Sequence, residues 1–196
     1  MTDKSVFQNY FWLNRPRKFE INGEELALVT EPGTDLWQRT YYGFQNDNAP
    51  AFLTEIQGDF TMQVKTRFAA NHQYDQCGIL LYHNSENWVK ASVEYENEKC
   101  SRLGSVVTNL GFSDWASTDI PSPVSEMWYR FSRQDQDFLI ESSTDGSTFS
   151  QMRILHLHTS FQTARVGVYA CSPLKSSFKA VFSELKTGPC RWPRHN

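Results

Sequence analysis

Apolar and polar residues alternate with a period of two along much of this chain, most clearly between Tyr74 and Trp115. Cys77, Ile79 and Leu81 alternate there with Gln76, Gly78, Leu80 and Tyr82. Val89, Ala91, Val93 and Tyr95 alternate with Trp88, Lys90, Ser92 and Glu94. Successive side chains on a strand point to opposite faces, so each run has one apolar face suited to a core and one mixed face. The stretch predicts three strands joined by tight turns and ending in a loop at Ser113, Asp114 and Trp115. Its mixed faces bring Gln, Tyr, Trp, Lys and Glu together, a set too specific for a plain solvated surface. They predict the floor of a binding groove.

The same period recurs elsewhere. Phe60, Met62, Val64 and Thr66 alternate with Thr61, Gln63, Lys65 and Arg67, and Val166, Val168 and Ala170 with Gly167, Tyr169 and Cys171. Further strands are expected at 128–133, 138–142, 152–157 and 181–186. Asn22-Gly23, set between Phe19-Glu20-Ile21 and Leu26-Ala27-Leu28-Val29, signals a hairpin because both residues tolerate positive φ. Thr144-Asp145-Gly146-Ser147 signals another. Ile120-Pro121-Ser122-Pro123 is expected to be a loop, since proline cannot donate to a central ladder. Many short strands separated by turn residues predict an all-β sandwich or barrel. The expected organisation is an aromatic arm over 1–17, one domain over 18–187 and a tail over 188–196. Phe7, Tyr10, Phe11 and Trp12 are expected to pack the arm onto the body.

Composition narrows the function classes. A chain of 196 residues suits one all-β domain that buries its core without disulfides. Its formal net charge of -3 argues against a dedicated binder of nucleic acid or anionic membrane. No apolar run approaches the ~20 residues of a membrane helix. The first residues lack the apolar core of a signal peptide, so a cytoplasmic protein is expected. Cys77, Cys100, Cys171 and Cys190 lack C-x-x-C spacing, which points to reduced thiols and to no metal or other cofactor. His156 and His158 share a strand face, and an exposed strand explains them better than a metal site.

Six segments stand in a telling order: TDLWQRTYYG, YDQCGILLYHNSENWVKASVEY, VVTNLGFSDW, WYRFSRQ, STDGSTF and VGVYACSP. In them the chain resembles the "regulation of enolase" family over about residues 11–186. The resemblance implies a concanavalin A-like jelly roll, two antiparallel sheets with a concave face open to a ligand. It implies no reaction, because the family is functionally unassigned and a shared fold does not carry function with it.

On that frame the candidate binding face comprises Gln76, Tyr82, Trp88, Lys90 and Glu94. Arg130 and Tyr169, which alternation sets opposite core residues of their own strands, are expected in the same groove, with Arg130 as the partner of Glu94. Lys90 and Glu94 lie four positions apart, about 13 Å along one strand, too far to pair directly. The competing explanation is a solvated sheet face with a cross-strand ion pair. A second group is Ser113, Asp114 and Trp115 with Trp37 and Tyr42. Aromatic faces beside carboxylate and amide groups suit the C–H surfaces and hydroxyls of a sugar, whereas rim packing and turn capping are the plainer roles. Together these residues point first to a non-catalytic domain for a saccharide or similar polar small molecule. An enzyme reading makes Glu94 one of the two carboxylates of a glycoside hydrolase or lyase, with Asp114 or Glu96 as the second. However, Glu96-Asn97-Glu98-Lys99 also has the composition of an exposed turn. A third reading is a cytosolic protein partner such as a metabolic enzyme.

Overall fold

The computed structural model describes residues 6–192, and among them there is no helix. The strands begin with β1 (Phe11–Leu13), β2 (Lys18–Asn22), β3 (Glu25–Val29), β4 (Leu36–Gln38) and β5 (Gln45–Asp47). Next come β6 (Ala51–Gln57), β7 (Phe60–Phe68), β8 (Gln76–Asn84), β9 (Asn87–Tyr95), β10 (Cys100–Asn109) and β11 (Phe112–Pro121). The chain ends with β12 (Glu126–Gln134), β13 (Asp137–Ser143), β14 (Ser150–His156), β15 (Thr163–Cys171) and β16 (Lys179–Gly188). The front sheet has the order β1-β6-β15-β8-β9-β10-β11 and the back sheet β14-β13-β12-β7-β16-β3-β2, while β4 and β5 form a small hairpin. Neighbouring strands run antiparallel, as a jelly-roll sandwich requires.

Alternation explains the core. Ile79, Leu81, Val89, Val93, Val166 and Val168 of the front sheet meet Met62, Val64, Phe131, Phe138 and Phe182 of the back sheet in one buried cluster. Each such side chain contributes roughly 1.5–3 kcal/mol by leaving water. A slip of one residue in any of these strands would turn that set outward, so the pattern fixes the register.

The turns follow local chemistry. Gly23 has φ 59° and, with Glu24, links β2 to β3, so that Asn22 pairs with Glu25. Leu110 and Gly111, both at positive φ, link β10 to β11 in the mirror-image turn that suits the twist of a hairpin. Ser113, Asp114 and Trp115 therefore lie inside a ten-residue edge strand, not in the expected loop. Pro121 ends that strand, where the edge asks no amide of it. At the N-terminal side β1 pairs with β6, Phe7 is buried, and Tyr10 and Trp12 lie 5.2 and 4.6 Å from the Phe52 ring. Phe11 departs from expectation: opposite Leu53 on the outer face of an edge strand, it stays exposed.

Candidate functional site

A second apolar cluster lies on the outer face of the front sheet. Leu80, Tyr82, Trp88, Val106, Tyr169 and Cys171 project from it and are covered by Leu36 and Ala49, from the segment that carries β4 and β5. Register explains how they meet. Tyr82 stands opposite Trp88, Leu80 opposite Lys90 and Gln76 opposite Glu94, while Tyr169 stands opposite Gly78. The neighbouring strands extend these rows, so that Glu94, Arg102 and Asp119 stand in line across β9, β10 and β11. Lys90, Val106 and Trp115 form a parallel line, and the small residues Ser92, Gly104 and Ser117 lie between the two.

The hairpin of β4 and β5 closes part of this face. The Gln38 backbone N–H donates to Ser113 Oγ at 2.9 Å, and Tyr82 OH donates to Asp47 Oδ2 at 2.7 Å. Trp88 and Tyr169 are fully buried and Tyr82 nearly so, which makes them the floor beneath the hairpin and not the ligand-facing residues expected from the sequence, because the chain's own hairpin occupies that part of the groove. Lys90 is buried there too, with Asp35 as its counter-charge at 3.4 Å and side-chain exposures of 5% and 13%. The Trp88 and Tyr169 rings lie 5.8 and 5.6 Å from the ammonium. Such a pair is held by attraction in a poorly solvated place, and removing one partner strands the other.

The other end of the face is open. Gln76 bridges the two regions: its Oε1 accepts from Tyr169 OH at 2.9 Å, and its Nε2 donates to Glu94 Oε2 at 2.7 Å. Burial pushes the Glu94 carboxyl up to about 7; Lys90 and Arg102 oppose the shift, and Asp35 and Glu96 add to it. Glu94 therefore changes charge near neutral pH, a property that clusters at functional sites. Arg102 Nε lies 3.2 Å from Glu96 Oε2, and its guanidinium carbon 5.6 Å from the Trp115 ring centre. Trp115, Tyr74 and Tyr42 are all exposed. Tyr42 packs edge-on against Trp37 at 5.5 Å, and Trp37 Nε1 donates to Thr40 O. The Tyr74 phenol is pushed up by burial, by Glu96 and by nearby Tyr42 and Glu94. An amide, a carboxyl and a guanidinium thus stand in one row beside indole and phenol faces.

Two expected members lie elsewhere. Arg130 is on β12 of the back sheet, where its Nε and Nη2 each reach Glu141 at 2.6 Å and its guanidinium sits 4.3 Å from the Phe149 ring. Alternation correctly turns it away from the core, but the face it reaches is the opposite surface of the sandwich, so it cannot partner Glu94. Asp114 alternates with Ser113 and Trp115 and therefore points away from them. It pairs with Arg153 Nη2 at 2.7 Å in a cleft of about 540 Å³ between β11 and β14. That placement removes it as a second carboxylate for Glu94. Glu96 stays close, held by Arg102 and by Gln73 Nε2 at 2.7 Å.

Asp35, Tyr74 and Arg102 are the residues that reading the sequence missed. Arg102 was within reach of the pattern, because Arg102, Gly104, Val106 and Thr108 alternate with Leu103, Ser105 and Val107. The turn at Asn97, whose Oδ1 accepts from the amides of Lys99 and Cys100 at 3.0 and 3.1 Å, sets Arg102 opposite Glu94. Among the described residues no three or more His, Cys, Asp and Glu side chains are grouped as metal ligands would be. His156 Nδ1 lies 2.6 Å from Asp137 Oδ1.

Known proteins share both the sequence and the fold. The family described as "Protein of unknown function (DUF1349)" matches residues 12–190. "Regulation of enolase protein 1" of Saccharomyces cerevisiae is 32% identical over 173 residues, 88% of this chain and 86% of that protein. A solved structure of a functionally unknown Saccharomyces cerevisiae protein has a TM-score of 0.88 and 28% identity, covering 93% of this chain and 97% of its own. A GH43 protein from Bacillus licheniformis has a TM-score of 0.71 at 15% identity, over 91% of this chain and 36% of its own. The alginate lyase from Klebsiella pneumoniae has a TM-score of 0.61 at 8% identity, over 88% and 84% of the two chains. At such identities these last two share the fold alone.

Proposed function

The chain belongs to the family described as "Protein of unknown function (DUF1349)", and from that premise we propose that it binds a saccharide or similar polar small molecule at the open end of the front sheet. One observation carries the reading. Gln76, Glu94 and Arg102 stand in a row of hydrogen-bonding groups beside the exposed rings of Trp115 and Tyr74, with Tyr42 near Tyr74. Ring faces suit the C–H surfaces of a sugar, and the polar row can fix its hydroxyls. The fold likeness to a GH43 protein and to an alginate lyase agrees with a sugar ligand. Calorimetry against a panel of oligosaccharides tests this, with Trp115→Ala and Arg102→Ala as variants. Losing a hydrogen bond from a charged group costs about 1.5–3 kcal/mol, so Arg102→Ala should weaken binding at least about tenfold. A panel in which nothing binds, or variants that bind like the wild type, would refute the proposal.

A protein partner is the second reading, in keeping with the name of the yeast relative. Tyr41, Phe44, Leu110 and Phe112 are exposed on two turn tips that Arg39 bridges, through Gly111 O at 2.9 Å and the Phe112 ring at 6.0 Å. Co-sedimentation with enolase, lost in Phe112→Ser, would support it, and no co-sedimentation would count against that partner.

A further inference from the structure

Carboxyl groups outnumber cations in the row at the open end of the site, and this bears on the class of saccharide; the inference rests on the ligand-binding reading above. Three carboxyl groups, Glu94, Glu96 and Asp119, surround the single guanidinium of Arg102. The charge of Arg102 is already neutralised by Glu96 and its guanidinium lies by the Trp115 ring, which leaves N–H donors for a hydroxyl but no uncompensated charge for an anion. Lys90 is engaged by Asp35 beneath the hairpin. Glu94 accepts the amide of Gln76, and no lysine or arginine among the described residues pairs with it. Tyr169 and Cys171, the titratable groups of β15 near it, are held protonated by burial and add no positive charge.

A uronate or phosphate entering here would meet three carboxyl groups and, within the row itself, only a guanidinium already neutralised by Glu96. An ammonium group would meet carboxylates to pair with and the exposed rings of Trp115, Tyr74 and Tyr42 to lie against. We propose that the site takes a saccharide bearing a protonated amine, of the hexosamine class, in preference to the neutral N-acetylated form or to a uronic acid. Pairing with that amine favours the carboxylate of Glu94. Binding in mildly acidic solution therefore moves a proton from Glu94 to the buffer, which a neutral sugar does not do.

The test is calorimetry of the whole chain with three trimers: glucosamine, N-acetylglucosamine and galacturonic acid. It is run at about pH 6 in two buffers of different ionisation enthalpy, so that the amine and Glu94 both start protonated. The glucosamine trimer should bind about tenfold more tightly than its N-acetylated form, with a buffer-dependent enthalpy that reports proton release. Glu94→Gln should abolish the proton release and narrow the preference. An N-acetylated or uronate trimer that binds as tightly as the amine would overturn the amine class while leaving a saccharide site in place. An undiminished preference in Glu94→Gln would overturn it as well. If none of the trimers nor any member of the wider panel binds, the ligand-binding reading itself falls, and the amine class with it.

Discussion

Replacing Glu94 with glutamine should stabilise this protein in mildly alkaline solution. Burial first, with help from Asp35 and Glu96, raises its carboxyl from an ordinary 4.5 to about 7 in the folded chain. Between those values the folded state holds a proton that the unfolded state has lost. Stability therefore falls as pH rises from about 4.5 to about 7, and the full penalty is present above that. At about 1.36 kcal/mol per pH unit the shift corresponds to at most about 3 kcal/mol, and partial solvent contact lowers it to roughly 1–3 kcal/mol. Glutamine keeps the shape, carries no charge at any pH, and can still accept the hydrogen bond from Gln76 Nε2. Urea denaturation of both proteins at about pH 4.5 and about pH 8 measures the difference. The variant should match the wild type at the lower pH and exceed it by about 1–3 kcal/mol at the higher. Equal stability at the higher pH, or a less stable variant, would mean that the folded chain carries the Glu94 charge without penalty. A charge kept at such a cost is the pattern expected of a residue retained for binding rather than for stability.

Other outcomes follow from the same geometry. Lys90→Met leaves Asp35 buried without a partner and should cost about 3–5 kcal/mol in denaturant titrations, most of it recovered when Asp35→Leu is added. Gly78→Ala should prevent folding, seen as lost near-ultraviolet dichroism, because a Cβ there would collide with the Ala91 carbonyl oxygen of the adjacent strand. Arg130→Ala should cost roughly 1–3 kcal/mol of stability through its partly buried carboxylate partner, with no change in saccharide affinity by calorimetry.

Faces were legible in the sequence; partners were not. Ile79, Leu81, Val89, Val93, Phe131, Val166 and Val168 all lie in the core because a period of two assigns every residue of a strand to one side. The same rule put Gln76, Lys90, Glu94 and Tyr169 on one outer face. It could not say which sheet a strand joins, and Arg130 accordingly lies on the far surface. Nor could it tell strand from loop at Ser113-Asp114-Trp115, where two residues that look adjacent end on opposite faces. The hairpin that covers Trp88 brings Asp35 to Lys90 across 55 positions of chain, a contact that no local pattern encodes.

The indole N–H signals of the tryptophans report whether a saccharide binds at the open end of the front sheet. Trp115 lies in the proposed site and Trp37 at its rim, whereas Trp12 packs on Phe52 and Trp128 sits on the outer face of the back sheet. In a two-dimensional NMR titration with the tightest-binding saccharide of the panel, Trp115 should shift most and Trp37 less, with Trp12 and Trp128 unmoved. Saturable shifts confined to Trp12 or Trp128, or no shift of Trp115 at a ligand concentration that calorimetry shows to be saturating, would place the ligand away from the open end.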